Sequence, residues 1–169
     1  FMLLPPELLQ ATIATHQKYI TLSDADGRFS SHFIVLSNRL GDAARDKVIV
    51  AGNQRVLRAR LADAEFFWQQ DQARQLESYL PALGDVTFYE GLGSIHDKAI
   101  RMETLASVIA PHMPSANLKA ASRAARLAKA DLVTGMVGEF PELQGIMGGH
   151  YAAASGEDKA VCDAITAHY

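Results

Sequence analysis

The chain has 169 residues, of which 49% are hydrophobic and 21% are charged, and its formal net charge is −3. This composition is typical of a globular protein and excludes a disordered chain or a strongly basic nucleic-acid binder. The single cysteine, Cys162, excludes an intrachain disulfide and a cysteine-based zinc site, and it fits a reducing, cytoplasmic compartment. No apolar run approaches the roughly 18 residues of a membrane span, so no membrane contact is expected.

The first predicted elements are a helix and a β-hairpin. Two prolines favour a helix start in PPELLQATIATHQK, and Leu8, Leu9 and Ile13 are expected to face inward. The stretch 19–38 has two apolar runs around an Asp-Gly turn signal, which predicts a hairpin. The sequence KVIVAG (47–52) is predicted to be a third strand.

From Gln54 onward the pattern of apolar residues is mostly helical. One broad face of the first helix is expected to hold six residues: Val56, Leu57, Leu61, Ala64, Phe67 and Trp68. The following stretch, 75–94, is expected to contain a helix end, a short extended piece and a Gly-bounded loop.

Three further helices are predicted in the rest of the chain. In SIHDKAIRMETLASVIA, Ser94 is a candidate N-cap and Asp97 favours the first turn. SANLKAASRAARLAKADLVTGMV is expected to be one long helix, which Gly135 and Gly138 loosen or end. GEDKAVCDAITAHY is predicted to be the last helix. The inward residues of the three helices are expected to be Ile95, Ala99, Met102, Ala106 and Ile109; Leu118, Ala121, Ala125, Ala128 and Leu132; and Val161, Ala164 and Ile165.

These elements predict an α+β fold in two parts. Residues 1–70 form a small hairpin and strand region with flanking helices, and residues 71–169 form a mainly helical domain. The first residue is Phe1 rather than Met, which suggests a piece of a longer protein.

The helical part resembles the His-Asp (HD) hydrolase superfamily in its layout. His96 stands in the position of the first metal ligand, but Ala130 stands where the ligand histidine precedes Asp131. Because a divalent metal needs several converging donors, the two remaining ligands predict a degenerate site without metal. An HD-type metal-dependent phosphohydrolase is therefore kept only as an alternative function. Asp131 is instead expected to be a hydrogen-bonding anchor, and His150 a surface or interdomain residue.

A polar and basic cluster is the better candidate for a functional surface. It comprises HQKY (16–19) and GNQRVLRAR (52–60), and its candidate nucleic-acid-binding residues are His16, Gln17, Lys18, Asn53, Gln54, Arg55, Arg58 and Arg60. Guanidinium groups suit phosphate oxygens, and Asn or Gln amides suit base edges. The alternative is that these arginines form a solvated helix face that pairs with Asp63 and Glu65.

Four stretches, in this order, resemble the β subunit of bacterial heterotetrameric glycyl-tRNA synthetase. They are LPPELLQATIATHQKYI, GNQRVLRARLADAEFFWQQD, VTFYEGLGSIHDKAIRM and KADLVTGMVGEFPELQGIMGGHYA. The resemblance implies an internal fragment, in which residues 1–70 end the N-terminal region and residues 71–169 begin a degenerate HD-like domain.

The same resemblance implies the biochemical context of the fragment. The α subunit makes glycyl-adenylate from glycine and ATP with magnesium, so no catalytic residue and no cofactor is expected here. The implied partners are the α subunit, tRNA(Gly) and a second β subunit in an α2β2 assembly. HQKY and GNQRVLRAR are then expected to be tRNA-facing or interdomain segments. A non-catalytic helical spacer is the third possible function.

Overall fold

The structure, a computed structural model, describes residues 1–38 and 42–169. It divides into two compact units, Phe1–Trp68 and Gln69–Tyr169. Helices predominate, and two small two-stranded sheets accompany them in the described residues, which confirms the predicted α+β class. No helix in the described parts of the chain combines the length and the apolar character that crossing a bilayer requires.

The first unit begins with helix α1, Pro6–Gln10, which continues as a π-helical turn over Ala11–His16. Leu8, Leu9 and Ile13 are buried, as predicted from their helical spacing. The predicted hairpin is also confirmed: β1 (Ile20–Ser23) pairs antiparallel with β2 (Phe29–Ile34).

The turn of this hairpin is stabilised by the carboxylate of Asp24. Its Oδ1 accepts hydrogen bonds from the backbone N–H of Asp26 at 3.0 Å and of Arg28 at 2.9 Å. Gly27 has a φ of +78°, a conformation that glycine adopts without steric cost. The Asp-Gly signal in the sequence therefore marks the turn correctly.

The predicted third strand at 47–52 is wrong, because this stretch lies within helix α2, Ala43–Gln72. Val48 and Val50 are exposed on that helix. The β-preference of a few β-branched residues is weak and context-dependent, and helix-forming sequence flanks them on both sides. Among the described residues, β1 and β2 pair only with each other, so no third strand joins this sheet.

The inward face of α2 is narrower than predicted. Leu57, Leu61 and Ala64 are buried, Phe67 and Trp68 are half-buried, and Val56 is 47% exposed. Adjacent helix residues point about 100° apart, so Val56 cannot share the direction of Leu57.

The second unit opens with a 3₁₀ helix over Leu76–Asp85, followed by strands β3 (Thr87–Tyr89) and β4 (Gly93–Ser94). Helix α3 spans Ile95–Ile109 and begins with the capping box that the sequence predicts. The Ser94 hydroxyl accepts from the Asp97 N–H at 3.1 Å, and the Asp97 carboxylate accepts from the Ser94 N–H at 2.8 Å.

The predicted long second helix is wrong. Helix α4 ends early (Leu118–Leu127), and a 3₁₀ turn (Ala130–Val133) and a short helix α5 (Gly135–Glu139) follow it. The break draws Asp131 into the interior, where partners distant in sequence hold it. Helices α6 (Ile146–Ala154) and α7 (Lys159–Thr166) complete the unit.

Most of the predicted inward residues of the helical unit are buried or half-buried, with three exceptions. Ile109, Leu118 and Ala164 are exposed. Ile109 and Leu118 lie near helix ends, where the helical repeat alone does not say which neighbours remain to cover a side chain.

Candidate functional site

The two polar segments predicted to act together are joined by a hydrogen bond. The hydroxyl of Tyr19, at the end of HQKY, donates to Oδ1 of Asn53 at 2.6 Å. The Nδ2 group of Asn53 donates to the backbone carbonyl of Ile49 at 2.8 Å. Both ends of the Asn53 amide are thus engaged within the chain, so Asn53 orders this surface rather than presenting a spare amide.

The residues before Tyr19 lie where the π-helical turn ends. His16 and Lys18 are exposed, and Gln17 is half-buried. Lys18 has a φ of +58°, which costs energy in a residue with a side chain. The neighbouring Tyr19 stacks on Phe33 with ring centroids 5.2 Å apart and thereby helps to hold this conformation.

Helix α2 places the remaining candidates on two sides. With about 100° per residue, Gln54, Arg55 and Arg58 lie on one side of the buried Leu57, and Arg60 lies on the other. Gln54, Arg55, Arg58 and Arg60 are all exposed. The structure therefore brings three of the candidates together and separates Arg60 from them.

Arg55 and Arg58 form no ion pair with any residue in 1–38 or 42–169. Among the described residues, Arg55 and Arg58 thus do not pair with Asp63 or Glu65, whereas their exposure agrees with a solvated helix face. Two exposed guanidinium groups on one side of a helix have five N–H donors each for an anionic ligand.

A concave surface lies beside this side of α2. One depression, of about 330 Å³, is formed by β2 and the first half of α2, with His32, Phe33, Asp46, Asn53 and Gln54 in its lining. It offers the aromatic ring of Phe33, the carboxylate of Asp46 and the amide of Gln54 close together. Groups of this kind suit the stacking and edge recognition of an unpaired nucleobase.

A second depression, of about 210 Å³, adjoins the first. It shares His32, Phe33 and Gln54 with the first, and Arg58 contributes to its wall. Arg58 therefore stands at the edge of the second depression, and Gln54 lines both.

Asp131, predicted to be an anchor, is fully buried and accepts two backbone hydrogen bonds through Oδ2. The donors are the N–H groups of Gly145 at 2.5 Å and Gly148 at 3.0 Å, at the start of α6. Burial raises the pKa of the Asp131 carboxyl, and these two N–H groups oppose that shift. The anchor role is confirmed, and Asp131 serves as a cap for a helix distant in sequence.

The other two positions expected to belong to a degenerate HD motif are Ala130 and His96. Ala130 is buried and His96 is half-buried at the start of α3. In the ranges 1–38 and 42–169, no three His, Cys, Asp or Glu residues are grouped as metal ligands.

The Lys129 ammonium lies near Asp131 without forming an ion pair with its carboxylate. The Lys129 ammonium lies 3.6 Å from the centre of the Tyr169 ring. Burial lowers the pKa of Lys129 and that of His168, whose Nδ1–H donates to the carbonyl of Ile165 at 2.5 Å. His150, predicted to be a surface or interdomain residue, is half-buried on α6.

A second buried aspartate, Asp71, was not anticipated from the sequence. Its carboxylate accepts from the N–H of Gly135 at 3.0 Å, the N–H of Met136 at 2.8 Å and the hydroxyl of Tyr151 at 2.9 Å. Its backbone carbonyl accepts from the Tyr79 hydroxyl at 3.1 Å. Burial and the nearby Asp71 carboxylate raise the pKa of Tyr151. Asp71 thus joins the end of α2 to the start of α5 and to α6.

The Gly-Gly pair of α6 has a steric function. A Cβ on Gly149 would overlap Oγ1 of Thr166 and lie 3.1 Å from the backbone oxygen of Cys162, both on α7. The absence of a side chain thus allows the two helices to approach closely, and the glycines need no phosphate to explain them.

We predict that Gly149→Ala lowers the free energy of unfolding by about 1–3 kcal/mol, because the added methyl group forces α6 and α7 apart. Urea denaturation measures this change. Gly138 in α5 is the matched control, since a Cβ there meets nothing within 4 Å. Gly138→Ala is expected to raise stability by up to about 1 kcal/mol. An equal gain for Gly149→Ala would contradict the close approach.

Comparison with known proteins gives a match along the whole chain. Residues 1–169 match the protein family described as "Glycyl-tRNA synthetase beta subunit". The chain is 51%, 49% and 48% identical to proteins named glycine–tRNA ligase beta subunit from Aromatoleum aromaticum, Phenylobacterium zucineum and a Synechocystis strain. Each match covers 100% of this chain but only 24%, 26% and 23% of the respective relative. The chain therefore spans about a quarter of the length of the curated relatives that it matches.

Proposed function

The chain belongs to the glycyl-tRNA synthetase beta subunit family, and from this membership we propose that it is a part of a glycine–tRNA ligase that contributes to recognition of tRNA(Gly). The observation that carries the proposal is the identity of about one half along the entire chain to proteins with that name. The ligase as a whole joins glycine to tRNA(Gly) at the expense of ATP.

We place the contact with tRNA on the side of α2 that carries Gln54, Arg55 and Arg58. The exposed arginines suit backbone phosphates, and the adjoining groove suits an unpaired nucleotide. His16, Gln17 and Lys18 lie on the segment that Tyr19 ties to Asn53, so they extend the same surface. Arg60 lies on the other side of α2 and is the weakest of the proposed contacts.

Adenylate formation is assigned in this proposal to a separate α subunit, which binds ATP and magnesium. The name "beta subunit" of the relatives supports a partner subunit of another kind. An α2β2 assembly in the cytoplasm is the arrangement that we propose. In that arrangement this part of the β subunit acts by positioning tRNA and supplies no group to the reacting atoms.

The proposal is tested by the double variant Arg55→Ala/Arg58→Ala in the assembled enzyme. We expect kcat/KM for tRNA(Gly) to fall about tenfold, which corresponds to about 1.4 kcal/mol. Loss of two phosphate contacts would also reduce the slope of log K against log salt by about 1–2. Glycine-dependent ATP–pyrophosphate exchange is expected to stay unchanged, because it needs no tRNA.

Arg45→Ala is the matched control, since Arg45 is exposed on the same helix and pairs with Asp42. It is expected to leave both reactions unchanged. Charging that is unaffected by the double variant would reject the tRNA contact and favour the helical spacer. A parallel loss of pyrophosphate exchange would show that the arginines act on the assembly instead.

A further inference from the structure

Helix α3 has an apolar stripe on its exposed side. Ile100, Leu105, Val108 and Ile109 are between 45% and 60% exposed. At about 100° per residue, these four side chains spread over about half of the helix circumference, on the exposed half of α3. Met113, which follows the 3₁₀ turn after the helix end, is exposed as well.

The opposite side of α3 is already occupied. Ala99 is buried, and Met102 and Ala106 are half-buried on this side. Glu103 accepts from Arg126 of α4 at 3.0 Å, which joins the two helices. A helix that is apolar on a second side, beyond the one that meets its own core, is typical of a helix that a further element covers.

The size of the stripe indicates what kind of element covers it. Four or five half-exposed aliphatic side chains offer on the order of a few hundred Å². A stable interface between separate proteins needs about 800 Å² on each partner. A covalently tethered segment needs less, because the tether supplies a high effective concentration.

The charge of the stripe also indicates what kind of segment fits it. Arg101 lies within the stripe and is exposed. The nearest acidic groups of α3 are engaged, since Asp97 accepts from Ser94 and Glu103 pairs with Arg126. A second copy packed through the same stripe would bring a second Arg101 into the same interface. A segment edged by aspartate or glutamate complements it.

We propose that in the complete β subunit the α3 stripe is covered by another segment of the same polypeptide, an apolar helix face with an acidic edge. The relatives are about four times as long as this chain, so such a subunit has ample polypeptide to supply it. The proposal rests on family membership and is independent of the tRNA contact on α2.

The test measures the rate at which a thiol reagent modifies a cysteine in the stripe. Leu105→Cys is introduced into a Cys162→Ser background, both in the 169-residue chain and in the complete β subunit stripped of other reactive cysteines. Ala160→Cys is the control, because Ala160 is exposed on α7 away from the stripe. The measured quantity is the ratio of the Leu105→Cys rate to the Ala160→Cys rate in each protein.

We expect this ratio to be at least tenfold lower in the complete β subunit alone than in the 169-residue chain. An unchanged ratio would overturn the proposal. A ratio that falls only when the α subunit is added would assign the stripe to that subunit instead. A low ratio already present in the 169-residue chain, together with a dimeric mass, would assign it to a second copy.

Discussion

Replacing Asp71 with alanine is expected to lower the free energy of unfolding by about 3 kcal/mol. The substitution removes the acceptor for the N–H groups of Gly135 and Met136 and for the Tyr151 hydroxyl. Asp71 is 3% exposed, so water cannot easily replace it. Each buried donor left without a partner costs about 1–3 kcal/mol, and partial relaxation reduces the sum. Urea denaturation at neutral pH measures the change.

Two further variants separate the anchor from a general effect of removing a carboxylate. Asp63→Ala removes an exposed acid from the same helix and is expected to change stability by less than about 0.5 kcal/mol. Tyr151→Phe removes only one of the three donors and is expected to cost about 1 kcal/mol. If Asp71→Ala were as mild as Asp63→Ala, the three hydrogen bonds would not be holding α5 and α6 in place.

Asp131→Ala is expected to destabilise the chain by about 2–4 kcal/mol at neutral pH. It leaves the N–H groups of Gly145 and Gly148 without their acceptor and creates a cavity at a fully buried position. Asp131→Asn retains the shape and one acceptor oxygen. The asparagine variant is therefore expected to lie well above the alanine variant in stability.

The pH dependence of these variants has a defined sign. Burial raises the folded-state pKa of Asp131 above its ordinary value of 3.8, so the folded state binds a proton more tightly than the unfolded state. The stabilisation from this group is complete below pH 3.8 and is lost as pH rises through the raised pKa. Urea denaturation at a series of pH values, from acidic to neutral, tests this. The free energy of unfolding of Asp131→Asn, relative to that of the unchanged chain, should rise as the pH rises. A stability difference that stays constant with pH would contradict a raised pKa.

Local sequence signals predict those elements whose partners are near in the chain. The hairpin of β1 and β2 follows from an Asp-Gly turn whose aspartate bonds to residues two and four positions later. The capping box of Ser94 and Asp97 likewise involves positions only three apart. The physical causes of both features lie entirely within a few residues.

Elements decided by distant partners are not predicted in this way. The sequence 115–137 is rich in helix-forming alanine, but α4 ends at Leu127. Asp131 then turns inward to meet N–H groups 14 and 17 residues later. No local pattern shows that those N–H groups need an acceptor. The exposure of Val48 and Val50 in α2 is a similar case, because a strand needs a neighbour that the fold does not supply.

The structure joins the two polar segments that the sequence singled out, but it gives one member another role than expected. Asn53 was expected to face a ligand, whereas its amide is engaged by Tyr19 and by the backbone. Asp71 was missed, although a signal exists: it lies seven residues after Ala64 and fourteen after Leu57, on the same buried side of α2. An acidic residue at an inward helical position indicates a buried acceptor with partners elsewhere in the chain.

The uneven burial of α2 affects how this helix opens. From Ala43 to Val56 only Ile49 and Asn53 are even half-buried, whereas Leu57, Leu61 and Ala64 fix the later turns. The early turns are held chiefly by their own backbone, and a helix segment of that length is marginal in water. Hydrogen exchange of amide protons should therefore be fast at the beginning of α2 and slow beyond Leu57. Arg55 and Arg58 stand at this boundary, so an RNA strand that binds them would also order the turns before them.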